Sequence, residues 1–172
     1  MSNVSFFQQY SQKENHGTNN TILLLRHVYA TSPRRFYELI EALTENQDLL
    51  PRFQLQIKLS KSVPDAIISQ PAFGLIFEAK AGGALDLGQI ERHAIGMADA
   101  QMTSSHWLIC LTKDSPDPKV VDALKEIEAT CNIHIISMTY TQIAKITRDI
   151  TPDHDEAMLE IIEDYERFLE RE

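Results

Sequence analysis

Cysteine is scarce in this chain, with only Cys110 and Cys131 in 172 residues. Neither has a CxxC or Cys/His spacing around it, which excludes the common zinc sites and a disulfide scaffold. Both lie in apolar, strand-like stretches and are expected to be buried free thiols in a reducing compartment. No apolar run approaches the roughly 20 residues needed to cross a bilayer. The first ten residues, MSNVSFFQQY, lack the charged start and apolar core of a secretory signal, so a cytoplasmic protein is expected. Six glycines, seven prolines and one tryptophan leave no collagen-like, low-complexity or linker-like segment, and no internal repeat is visible. Basic residues are sparse in the second part. Residues 101–172 hold 7 Lys/Arg against 15 Asp/Glu, whereas residues 1–100 hold 9 against 10. Such an acidic protein is unsuited to broad, sequence-blind phosphate binding. A local basic face remains open to the first half, from Arg26, Arg34, Arg35, Arg52, Lys58 and Lys61.

What is present suits a compact soluble chain. It is 43% hydrophobic and 24% charged, enough to bury a core within one domain. A short helix is expected over 3–13 and another over 19–29, with Ile22, Leu23, Leu25 and Val28 on its apolar side. Ser32 and Pro33 then form a cap and first-turn pair for a helix through Phe36, Leu39, Ile40 and Leu43. The period then changes. Phe53, Leu55, Ile57 and Leu59 alternate with polar residues, as in a half-buried strand. Val63–Ser69 and Phe73–Lys80 are two further extended runs around Gln70-Pro71-Ala72, a hairpin turn. Helices over 87–102, 116–128, 140–150 and 155–169 then alternate with buried strands over 107–111 and 133–138. The order predicts an α/β fold with a mixed sheet of about five strands flanked by helices in three layers, antiparallel at its start and parallel after it.

The chemistry-bearing stretch is Val63-Pro-Asp-Ala-Ile-Ile-Ser-Gln-Pro-Ala-Phe-Gly-Leu-Ile-Phe-Glu-Ala-Lys80. A turn centred between Pro71 and Ala72 sets Asp65 directly opposite Glu78. Opposed residues share a sheet face with Cβ atoms about 4.5–5.5 Å apart. Lys80, two residues beyond Glu78, points the same way. Opposed like charges are costly unless compensated, by Lys80 in part and by a divalent cation for the rest. Hard oxygen ligands of this kind suit Mg²⁺. The same spacing also describes an ordinary surface hairpin with a salt bridge.

Pro64-Asp65 followed by Glu78-Ala79-Lys80 resembles the signature of the PD-(D/E)XK nuclease superfamily, the restriction-endonuclease-like proteins. The resemblance covers about residues 10–112, with 113–172 as a C-terminal α/β extension of a single domain. It implies a metal-dependent nuclease that hydrolyses phosphodiester bonds in nucleic acid, DNA above RNA, in a prokaryotic restriction, defence or repair setting. Asp65, Glu78 and the carbonyl of Ala79 would hold Mg²⁺, for which Mn²⁺ substitutes. Glu14 stands where many members supply an acid from the first core helix, and Gln89 where some carry a glutamine after the motif. Glu14 equally reads as a solvated helix carboxylate, and Gln89 as a plain polar helix position. Lys80 would orient the attacking water and stabilise charge at the phosphate. A bare catalytic domain of this kind implies a homodimer or a partner protein, and no membrane. The alternative is an inactive nuclease-fold module that binds nucleic acid or a protein. Arg92 and His93, near Gln89, read either as phosphate contacts or as ordinary surface residues. His16 and His27 offer no ligand spacing, and Trp107, at a strand start, is expected in the core rather than as a base-stacking platform.

Overall fold

The computed structural model describes residues 6–7, 16–44, 52–55, 66–70, 73–80, 84–100 and 106–171. The elements in chain order are α1 (His16–Thr31), α2 (Pro33–Thr44), β1 (Arg52–Leu55), β2 (Ala66–Gln70), β3 (Phe73–Lys80), α3 (Leu87–Ala100), β4 (His106–Thr112), α4 (Pro118–Cys131), β5 (His134–Thr139), α5 (Tyr140–Asp149) and α6 (Glu156–Leu169). Of the helix expected over 3–13, Phe6 and Phe7 form a bend, and the rest lies outside the described residues. Cys131 ends a helix rather than lying in a strand.

The expected restriction-endonuclease-like frame, a five-strand mixed sheet, needs correction. Among the described residues the parallel sheet is three-stranded, β3–β4–β5, and with six helices it makes an α/β fold. Parallel neighbours must be joined by a crossover, and α3 and α4 supply the two. β1 and β2, of four and five residues, lie antiparallel beyond the β3 edge. Periodicity marks a segment as strand but does not fix how many strands the helices enclose.

Alternation along the parallel strands divides the interior. Leu75, Phe77, Ala79, Trp107, Ile109 and Leu111 point into one core, which they share with α1, α2, α5 and α6. Ile76, Leu108 and Cys110 point into the other, against Ile90, Ala94 and Met97 of α3 and Leu124 of α4. Each fully buried side chain of this size contributes about 1.5–3 kcal/mol.

α1 is the central helix of the first core. Leu24 and Leu25 are fully enclosed, while Leu23 is only half-buried, one step away from the stripe read from the sequence. Among the buried polar residues of α1, Thr21 makes two close contacts. The Thr21 hydroxyl donates to the Gly17 carbonyl at 2.7 Å and lies 2.6 Å from the Tyr165 hydroxyl of α6. α6 is also tied to α2, through an ion pair between Arg35 and Asp155. Asp155 caps α6 by accepting from the Met158 N–H at 3.2 Å.

The helices that follow the parallel strands start crisply. The Asp117 carboxylate accepts from the Lys119 N–H at 2.8 Å, and Pro118 opens α4. Thr139 and Gln142 form a reciprocal capping box for α5. These caps fix where β4 and β5 end, and so where the carboxyl edge of the sheet lies. Among the described residues, no helix is long and apolar enough to cross a membrane.

Candidate active site

β3 carries the motif to the carboxyl edge of the parallel sheet. Open α/β sheets bind ligands outside the carboxyl ends of their strands. Parallel register aligns two rows across the three strands. Glu78 faces Cys110 and Ser137, and Lys80 faces Thr112 and Thr139. The β2–β3 ladder runs Gln70 to Phe73, Ile67 to Ile76 and Ala66 to Phe77; Pro71 and Ala72, where the hairpin turn is expected, lie outside the described residues. Asp65 and Glu14 lie outside the described residues. Ala79 turns its side chain into the opposite core, so only its carbonyl would serve an ion.

Glu78 is a buried carboxylate, 3% exposed, on the α3 side of the sheet. Its partner is His93, 1% exposed, with Nε2 at 2.9 Å from Glu78 Oε2. A carboxylate only accepts, so the imidazole donates through Nε2–H. Gln89, one helical turn before His93, brings its side-chain amide to 3.4 Å from the same nitrogen. His93 Nδ1 has no hydrogen-bond partner among the described residues.

The sequence reading paired His93 with Arg92 as surface groups. The structure separates them: Arg92 is exposed and His93 is buried. The signal was the stripe Ile90, Ala94 and Met97, to whose inward face His93 also belongs at helical spacing. Glu78 and His93 therefore form the hydrogen-bonded pair, and the Gln89 side chain packs beside the imidazole.

Cys110, in the strand beside Glu78, is held as a neutral thiol. Burial, and secondarily the Glu78 charge, push it up to about 12, which excludes it as a thiolate nucleophile near neutral pH.

Lys80 is half-buried and lines a cavity of about 200 Å³ with Leu85, Thr112, Lys113, Asp114 and Asp117. Thr112 is 6% exposed, and its hydroxyl has no hydrogen-bond partner among the described residues. The cavity thus holds an ammonium group and an unused hydroxyl at the strand ends. A larger cavity of about 470 Å³ is bounded by Gly17, Tyr140, Thr141, Glu166 and Phe168. It adjoins the first cavity at Lys113 and Asp114 but contains none of the motif residues.

Among the described residues, no three His, Cys, Asp or Glu side chains are grouped to hold a metal ion. The described donors of the expected set are the Glu78 carboxylate and the Ala79 carbonyl, both hard oxygens of the kind Mg²⁺ takes. No protein-family model matches this chain, and no curated protein matches its sequence.

Proposed function

We propose that this chain is a metal-dependent nuclease that hydrolyses phosphodiester bonds, in DNA above RNA. The observation that carries this reading is the pairing of a buried carboxylate, Glu78, with an amine two residues on, Lys80, at the carboxyl end of a parallel strand and beside a cavity of nucleotide-fragment size. Glu78 and the Ala79 carbonyl, with Asp65 and Glu14 from outside the described residues, would hold Mg²⁺ or Mn²⁺. A bound ion of this kind lowers the pKa of a water and stabilises charge on a phosphate.

The protein's own groups divide the remaining work. Lys80 places positive charge in the cavity where a phosphodiester oxygen would sit, and orients the attacking water. The Thr112 hydroxyl supplies a hydrogen bond to the same phosphate. Residues 101–172 carry most of the net negative charge, which fits an enzyme that gains DNA contact area from a second copy or a partner protein. A cytoplasmic setting and a role in prokaryotic restriction, defence or repair belong to the same reading.

The test is cleavage of supercoiled plasmid, single-stranded DNA and RNA with Mg²⁺ or Mn²⁺, by wild type, Glu78→Ala and Lys80→Ala. Metal-dependent cutting by wild type, lost in both variants while circular dichroism shows them folded, supports the proposal. Binding of nucleic acid or protein with no cutting of any substrate overturns it in favour of a non-catalytic module.

A further inference from the structure

Glu78 enters a layer that is otherwise apolar, among Ile76, Ile90, Ala94, Met97 and Leu108. A carboxylate there needs a donor, and the described structure gives it one, His93 Nε2 at 2.9 Å. The hydrogen bond engages Oε2. Gln89 abuts the imidazole from the preceding turn of α3.

Resting on the nuclease reading, we infer that His93 is the positioning residue for Glu78, fixing the carboxylate for metal binding. Donors that hold a metal's carboxylate ligand tune its affinity, and their removal costs about 10–100-fold. α3 then does more than cover the sheet: its inward turn sets the aim of a ligand carried by β3. The unpartnered Nδ1 is consistent with an imidazole kept at this place for its Nε2–H.

The experiment measures binding of Mn²⁺ alone to the full chain by calorimetry, alongside plasmid cleavage. Wild type is compared with His93→Gln, which keeps a donor near the Nε2 position, and His93→Asn, which withdraws it. His93→Asn is expected to bind Mn²⁺ about 10–100-fold more weakly. Its kcat should fall, with KM for plasmid within about twofold of wild type, since no substrate contact is removed. His93→Gln should stay within about threefold of wild type. Should His93→Asn not fold, His93→Ser, which also withdraws the donor, carries the test with the same expected loss in Mn²⁺ affinity. Unchanged Mn²⁺ affinity in the folded variant, or equal losses in His93→Gln and His93→Asn, overturns the positioning role and leaves the nuclease reading standing. A wild type that neither binds Mn²⁺ nor cuts overturns both.

Discussion

Replacing His93 by leucine strands the Glu78 carboxylate inside an apolar layer. Removing the donor of a buried carboxylate leaves an uncompensated charge, at about 3–5 kcal/mol. Replacing Glu78 by leucine instead takes the acceptor from the His93 Nε2–H, at about 1–3 kcal/mol. The two side chains are 4% and 1% exposed, so solvent relieves neither loss. The double variant Glu78→Leu/His93→Leu removes both members of the pair. Exchange of a buried pair for apolar residues of similar volume is often neutral, or stabilising by about 1–4 kcal/mol. The double variant is therefore expected to match or exceed wild type, and to exceed His93→Leu by at least about 3 kcal/mol. In a chain of 172 residues, where 1 kcal/mol moves Tm by about 2–4 °C, His93→Leu should melt about 6–20 °C below wild type. Urea unfolding at pH 7 followed by circular dichroism, with all four proteins in one double-mutant cycle, makes the measurement. If the double variant loses the sum of the single losses, Glu78 and His93 do not form an isolated pair and the reasoning fails.

Three further outcomes follow from other parts of the molecule. At pH 8 a thiol held near 12 is ionised in about one molecule in ten thousand, so an aromatic disulfide reagent should titrate at most Cys131 in the native protein and both cysteines in guanidinium. Two fast-reacting thiols in the native state would refute the burial of Cys110. Hydrogen bonding to Arg35 holds Asp155 below the ordinary aspartate value of 3.8, so its contribution is full above that value and fades as the pH falls below it. Asp155→Ala should cost about 1–2 kcal/mol at pH 7 through the lost cap, and the advantage of wild type over Asp155→Asn in thermal melts should vanish in strong acid; an advantage that grows on acidification would contradict the pairing. Thr112→Val removes a buried hydroxyl that lacks a partner, so stability should hold or rise by up to about 1–3 kcal/mol while DNA affinity falls; a loss of more than about 1 kcal/mol in urea unfolding would show that the hydroxyl is already used within the protein.

Much of this architecture was legible from local pattern. Val120, Val121, Leu124 and Ile127 at helical spacing mark α4, and the unbroken run Trp107 to Leu111 marks β4 as a strand buried on both faces. The placement of Glu78 and Lys80 on one side of β3 follows from a period of two. What escaped depends on packing between distant segments. Which strands the helices enclose is decided by where α3 and α4 cross, and no periodicity records that. His93 resembles any polar residue beside Arg92 until α3 docks on the sheet. Thr112 is an ordinary strand end until the start of α4 folds over it. The partners proposed for Glu78 from the resemblance, Asp65 and Glu14, fall outside the described residues, so the contact found for its carboxylate comes from a helix that the motif does not mention.

The junction of α6 with α1 bears on how the protein folds. Tyr165 is fully enclosed, lies 2.6 Å from the Thr21 hydroxyl and packs on Phe7 with ring centroids 5.1 Å apart. Residues 144 positions apart in sequence thus close one layer, a pairing whose loop entropy has to be met before the contact rewards it. The order of the core beneath β3 therefore depends on a helix that carries none of the motif, and loosening α6 would be felt at the strand that bears Glu78.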